Sequence, residues 1–321
     1  MDGPQRLRKP DPAGVRRSRR GTSHYSFTAD STTIQAGQST TLRWNVSNTA
    51  NVSISNTSVN TPATTGTVSV SPTQTTTYVL TATGNGATVT ESLTITVSIS
   101  SVSVASVGNG ASFAQSFAPG MLMSVFGTGL SSGTPQTVSA APLPVTSSSG
   151  TSVTINGIAA PLLYISATQI NLQIPYEVAV GRATLTVTTA GNSGSISFTV
   201  QAAGPGIFVD AQNGHVVPYE SAAAGSAVEV FVTGTGQVTP SEATGNVPAC
   251  CTTPEPNLPV TLTVGGVPVI PDQIVYMGIP NWSVGTLQIN FIVPSTVARG
   301  SQPVVVTIGG VASQQALLNI N

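Results

Sequence analysis

Hydrolysis through an activated serine needs a histidine and a carboxylate close by, and this sequence has two histidines, His24 and His215. His24 closes an arginine-rich segment, and His215 follows Asn213-Gly214, a turn dipeptide. Gly-x-Ser-x-Gly does not occur and Lys9 is the sole lysine, so Ser-His-Asp and Ser-Lys arrangements both lack members. Glycoside cleavage needs two carboxylates at a defined separation. Beyond the basic segment the acids (Asp30, Glu91, Glu177, Asp210, Glu220, Glu229, Glu242, Glu255, Asp272) fall singly among loops and strand faces. No Asp-x-Asp-x-Asp loop occurs, so a calcium hand is excluded. A lone ion held by Glu177 or Asp210 with backbone carbonyls stays open. Gly127-x-Gly129 and Gly234-x-Gly236 each follow an apolar run without a helix to receive a phosphate, and they read as turns or bulges. The inventory points away from an enzyme, with no cofactor and no metal expected.

Binding offers more. Trp282, in Gly278-Ile279-Pro280-Asn281-Trp282, is the candidate for stacking on a sugar ring, with Tyr176 and Tyr219 as further glycan contacts. Tryptophan is usually well buried, so the expectation is that Trp282 caps its own core. A solvent-facing Trp282 with Tyr176 or Tyr219 nearby would favour glycan binding instead. Cys250 and Cys251 are adjacent. Three states are open to them: free thiols in a Pro-rich loop, an intermolecular bridge, or a vicinal disulfide. The last is strained, because adjacent Cα atoms lie about 3.8 Å apart, against the usual disulfide span of about 4.4–6.8 Å.

The elements that position these residues are organised by a duplicated stretch. Gln169-Ile170-Asn171-Leu172-Gln173-Ile174-Pro175, followed by Val178-Ala179-Val180-Gly181, recurs as Gln288-Ile289-Asn290-Phe291-Ile292-Val293-Pro294 and Val297-Ala298-Arg299-Gly300. The copies lie 119 residues apart from Gln169/Gln288 through to Gly181/Gly300. So long a period means a duplicated domain, since solenoid repeats are much shorter. Val125-Phe126-Gly127-Thr128-Gly129 is echoed by Val230-Phe231-Val232-Thr233-Gly234, and Tyr164 by Tyr276. Each copy alternates, with Ile170, Leu172 and Ile174 on one face and Gln169, Asn171 and Gln173 on the other. Ile289, Phe291 and Val293 repeat the apolar face, with Gln288 and Asn290 opposite. Retention of both amides predicts a structural role for Gln169, Asn171, Gln288 and Asn290, with each Asn bonding the backbone of a neighbouring loop.

Charged residues make up 7% of the chain and apolar residues 40%, which suits a folded chain rather than a disordered one. Long helical periodicity is absent, while β-branched residues alternate with Ser and Thr, so the fold class is all-β. Arg6, Arg8, Lys9, Arg16, Arg17, Arg19 and Arg20 crowd the start, against Asp2 and Asp11. Residues 1–22 are expected to be a disordered tail rather than a nucleic-acid arm, since no basic patch on the body supports them. No nucleic-acid partner is expected, and no apolar run is long enough to span a membrane. No signal-peptide core follows the early arginines, although the body's composition suits export. The expectation is an incomplete or misassigned start.

Residues 23–98 carry Thr41-Leu42-Arg43-Trp44-Asn45-Val46, a half-buried strand around one tryptophan, and Tyr78 opening a late strand. This stretch resembles bacterial Ig-like domains of secreted and surface proteins, without the cysteine pair of antibody domains. From 101 onward the motifs become more specific. They are Asn109-Gly110-Ala111-Ser112-Phe113, Ala118-Pro119-Gly120, Phe126-Gly127-Thr128-Gly129-Leu130, Leu143-Pro144, Ala160-Pro161-Leu162, Gln169–Pro175 and Gly204-Pro205-Gly206-Ile207-Phe208. Residues 101–321 thereby resemble the β-rich C-terminal domain family of large exported acidobacterial proteins, and each half resembles IPT/TIG domains. The resemblance implies export and position in the chain rather than an activity. It divides the chain into an Ig-like domain at 23–98 and β-sandwich repeats at 101–203 and 204–321. The expected protein is thus three tandem immunoglobulin-like sandwiches, the last two an internal duplication. The expected role is an extracellular or cell-surface structural and adhesion module, with a carbohydrate-binding module as the alternative. Its partner would be an extracellular protein or a polysaccharide.

Overall fold

The computed structural model describes residues 25–84, 86–98, 101–132 and 134–321. The tail at 1–22 and His24 lie outside the described residues. Two compact units make up the chain, Met1–Ser98 and Ile99–Asn321. The described residues form strands and one 3-10 turn, Pro271–Gln273, with no α-helix among them.

The first unit runs β1 (Tyr25–Ala29), β2 (Thr33–Gln35), β3 (Thr40–Val46), β4 (Asn51–Ile54), β5 (Asn60–Thr61), β6 (Thr65–Val70), β7 (Thr76–Gly84) and β8 (Ala87–Ser98). One sheet has the order β1-β3-β6 and the other β2-β8-β7-β4-β5. Period-two alternation builds the layer between them. In β3, Leu42, Trp44 and Val46 are buried while Arg43 and Asn45 are exposed. The Trp44 indole, packed with Tyr78, Leu80 and Ile95, donates to the Ala63 carbonyl at 3.3 Å. On the outer face Arg43 grips Asp30 through both carboxylate oxygens, at 2.8 and 3.0 Å. That contact holds the Asp30 carboxyl below the usual carboxylate range.

The second unit holds two cores in one compact body. Its first half runs β9 (Ser103–Asn109), β10 (Leu122–Thr128), β11 (Gln136–Thr137), β12 (Ser152–Ile155), β13 (Ile158–Ala159), β14 (Leu162–Ile165), β15 (Gln169–Gln173), β16 (Gly181–Thr189) and β17 (Asn192–Val200). The sheets are β11-β14-β15-β10-β9 and β13-β12-β16-β17. The second half runs β18 (Gly206–Ile207), β19 (Ser221–Ala222), β20 (Ala227–Thr233), β21 (Val238–Thr239), β22 (Glu255–Pro256), β23 (Val260–Val264), β24 (Val267–Pro268), β25 (Ile274–Gly278), β26 (Leu287–Ile292), β27 (Gly300–Ile308), β28 (Val311–Ala312) and β29 (Ala316–Ile320). Its main sheets are β18-β20-β26-β25 and β19-β29-β27-β23-β24.

The duplication is visible residue by residue. Strand β15 lies between β10 and β14, and β26 lies between β20 and β25. Phe126 pairs Gln169 and Val125 pairs Ile170, while Phe231 pairs Gln288 and Val230 pairs Ile289. Even the irregularity repeats: the register slips between Leu162 and Tyr164 in one copy and between Ile274 and Tyr276 in the other. The bulge leaves Tyr164 opposite Asn171 and Tyr276 opposite Asn290.

Candidate functional site

Two features could serve a function: the seam between the halves of the second unit, and the polar face carried twice on its sheets. The seam is made of buried polar groups. Asn109, fully buried at the end of β9, accepts from the amides of Ala111 and Ser112 at 2.9 and 3.2 Å and donates to the Gly204 carbonyl at 2.9 Å. One side chain thus shapes its own turn and ties the start of the second half. Thr233 accepts from the Leu122 amide at 2.8 Å and donates to the Gly285 carbonyl at 2.8 Å. Gln173 donates to the Gly120 carbonyl at 3.0 Å and accepts from the Gly245 amide at 2.7 Å. Around it Thr244 accepts from the Tyr176 amide at 3.0 Å and donates to Glu177 at 2.7 Å. Gln237 donates to the Tyr176 carbonyl at 2.6 Å.

Alternation along β15 places Gln173 on the polar outer face with Gln169 and Asn171. Instead it is 0% exposed, because the Gly245 loop of the second half covers that end of the strand. The position matching Gln173 in the second copy is Ile292, which is half-buried. That mismatch in an otherwise matched stretch is the sequence signal for the seam. Thr233 and Gly245 carried no comparable signal.

The repeated face proves to be an amide ladder. Gln169 donates to the Asn171 oxygen at 2.9 Å, and Gln288 to the Asn290 oxygen at 2.9 Å. The buried Ser124 hydroxyl also donates to Asn171, at 3.1 Å, while Gln288 reaches across to Glu229 at 3.0 Å. These contacts differ from the expected bonds to loop backbone. In these outward-facing pairs the nearest partners are the side chain two residues back and the one on the adjoining strand. The two asparagines should therefore differ. Asn171→Ala removes the acceptor of a buried hydroxyl and is expected to cost about 1–2 kcal/mol. Asn290→Ala, whose donor is half-exposed, should cost under about 0.5 kcal/mol. Urea unfolding of the two variants checks the difference, and equal midpoints would refute the assignment.

The aromatic candidates separate. Trp282 is 62% exposed, in place of the expected core cap, and it makes a T-shaped contact with Phe231, centroids 5.7 Å apart. The Ile279–Val284 segment buries Ile279 and Val284 rather than the indole. Tyr176 is buried over Gly120, where an added Cβ would lie 2.0 Å from its ring, so it offers no platform. Burial, with the Glu242 charge behind it, pushes the Tyr176 phenol well above its ordinary pKa. Tyr219 is exposed, but the ring packed on Trp282 is Phe231.

Cys250 and Cys251 are free and exposed, with their sulfurs 3.0 Å apart. The Cys250 contact raises the Cys251 thiol above its ordinary pKa. Glu177, a candidate ion ligand, is engaged by Thr244, and Asp210 accepts from the Gln212 amide at 2.7 Å. Among the described residues no three His, Cys, Asp or Glu side chains come together as a metal site. Neither is any helix among them long and apolar enough to cross a membrane.

One family model agrees with this architecture over part of the chain. Residues 114–202 match the model of the IPT/TIG domain family. Among solved structures, the chain is similar to the N-terminal eight Ig domains of Down Syndrome Cell Adhesion Molecule, at 12% identity and TM-score 0.22 over 94% of this chain. It spans 40% of the length of that structure. Titin domains A168–A170 match at 11% identity and TM-score 0.28, over 93% of this chain and 99% of theirs. Invasin, a bacterial integrin-binding protein, matches at 11% identity and TM-score 0.28, over 93% of this chain and 60% of its own. At these identities and TM-scores the matches to solved structures carry no argument about this chain. No curated protein matches the chain. The chain is an all-β protein of tandem Ig-like sandwiches, of which residues 114–202 match the IPT/TIG domain model.

Proposed function

We propose that this chain is a non-enzymatic structural and adhesion module of an exported protein, acting outside the cell or on its surface. The observation that carries the reading is the seam. The buried polar side chains Asn109, Gln173 and Thr233 join two sandwiches into one body instead of converging on an open cleft. Interdomain contacts within a chain are ordinarily small and permit motion, and a hydrogen-bonded, buried seam opposes it. A stiff pair of sandwiches suits a spacer that holds a binding surface away from its anchor. The resemblance of residues 101–321 to C-terminal domains of exported acidobacterial proteins supports the same setting. Extracellular proteins are the partners this reading favours.

The test is binding of the purified chain to immobilised extracellular matrix proteins and to a polysaccharide array. Saturable binding to a protein ligand supports the adhesion reading. Hydrolysis of a peptide, ester or glycoside substrate by the pure chain would overturn it.

Exposure of Trp282 favours a second reading, polysaccharide binding through that ring. Because the ring is mostly in solvent, Trp282→Ala should change stability by less than about 1 kcal/mol. On the second reading the same variant abolishes polysaccharide retention on an affinity gel. Unaltered retention would remove Trp282 from consideration.

A further inference from the structure

We propose that Cys250 and Cys251 form a reversible redox site that closes within the chain into a vicinal disulfide when it meets a small disulfide oxidant. Three observations carry this. The sulfurs already lie 3.0 Å apart and both residues are exposed, so the reacting atoms are together and accessible. Both residues occupy the centre of a turn closed by the Thr252 amide on the Ala249 carbonyl at 3.1 Å and by the Thr252 hydroxyl on the same oxygen at 2.8 Å. Cys251 takes φ +71°, which L residues adopt rarely and which this turn imposes.

The segment bearing the turn is anchored at both ends. Gly245 bonds Gln173 through its amide and accepts from the Leu143 amide at 2.8 Å. Pro254 is buried and its carbonyl accepts from the Ile279 amide at 2.9 Å. Thr253 packs against Gly278, where an added Cβ would fall 2.1 Å from the Thr253 methyl. A held turn keeps the thiols in contact, which favours closure within the chain over capture of a second molecule.

In the reaction one cysteine thiolate attacks a sulfur of a low-molecular-weight disulfide such as glutathione disulfide. A mixed disulfide forms and one glutathione thiolate leaves. The second cysteine thiolate then attacks the cysteine sulfur of that mixed disulfide, forming the Cys250–Cys251 bond and expelling the second glutathione thiolate. Two electrons pass from the cysteine pair to the oxidant, and the two thiol protons end on the two released glutathiones. The ring is strained, since adjacent Cα atoms sit about 3.8 Å apart, below the usual disulfide span of about 4.4–6.8 Å. Strained, exposed disulfides are the readily reduced ones, which is the property of a switch rather than a staple.

The test equilibrates the whole chain in glutathione buffers of increasing oxidised fraction, followed by acid quench, alkylation and intact-mass measurement. The expected product is a monomer lighter by two hydrogens with no alkylatable thiol, returning to two alkylatable thiols when the buffer is made reducing. Cys251→Ser in the most oxidising buffer should instead carry one glutathione. Any of three results would overturn the proposal: a wild-type chain carrying glutathione on both cysteines, a disulfide-linked dimer, or two alkylatable thiols at every buffer ratio.

Discussion

Gln173→Ala is expected to lower the unfolding free energy of the second unit by about 2–4 kcal/mol, the larger share arising from stranded partners rather than lost packing. The fully buried amide is the acceptor for the Gly245 amide at 2.7 Å and the donor to the Gly120 carbonyl at 3.0 Å. Truncation leaves a buried N–H and a buried carbonyl without their partner, each worth about 1–3 kcal/mol if water cannot reach it. For a unit of this size the loss corresponds to a fall of roughly 5–15 °C in Tm. Gln173→Ile, which installs the residue found at the matching position of the second copy, restores apolar volume and neither hydrogen bond. It should recover little. The two tryptophans fall one in each unit, Trp44 and Trp282, so Trp44→Phe leaves a fluorescence signal that reports the second unit alone. Unfolding of both variants within about 0.5 kcal/mol of the parent would mean that the halves are joined by packing, and the seam would lose its role.

The second large effect is expected at Gly234, which follows β20 and faces the chain as it crosses from one half to the other. Gly234 has φ +93°, and a Cβ there would lie 1.9 Å from the Gly204 oxygen and 2.5 Å from its carbonyl carbon. Both are backbone atoms, and the Gly204 amide is itself bonded to the Gly234 carbonyl at 2.9 Å, so neither chain can yield without breaking the crossing. Gly234→Ala should cost more than about 4 kcal/mol, through overlap and backbone strain together. The control is Gly214→Ala, at φ +74° with no atom within 4 Å of the new Cβ. It meets only the conformational cost, about 1–2 kcal/mol. Equal losses in the two variants by urea denaturation would show that the close approach at Gly204 relaxes freely.

Both predictions concern the seam, and the seam is where sequence reasoning and structure part. Gly234-x-Gly236 reads from sequence as a turn. Its tertiary use is to let two backbones touch, with Cβ positions at Gly234 and Gly236 only 1.9 and 2.0 Å from carbonyl oxygens of Gly204 and Ala202. The motifs that carry the family resemblance, Asn109-Gly110-Ala111-Ser112-Phe113 and Gly204-Pro205-Gly206, meet in one hydrogen bond, Asn109 to the Gly204 carbonyl. In sequence they are ninety-five residues apart and nothing local links them. Tyr176 reads from sequence as a candidate glycan contact, and Trp282 reads as a core cap because tryptophan is usually buried. Their exposures are reversed, since each depends on which loop lies over it.

The sequence by itself determined the all-β class, the duplication and the core faces of the strands. Alternation of apolar and polar residues is a local property of extended chain, and a repeated strand must repeat its register, as Phe126–Gln169 and Phe231–Gln288 do. Only the tertiary structure decided that Gln173 is buried while Gln169 is not, that the Asn171 and Asn290 amides serve neighbouring side chains, and that Trp282 stands in solvent. Burial of a polar side chain is settled by what the rest of the chain lays over it. For Gln173 that cover is the Gly245 loop, seventy-two residues further along the chain.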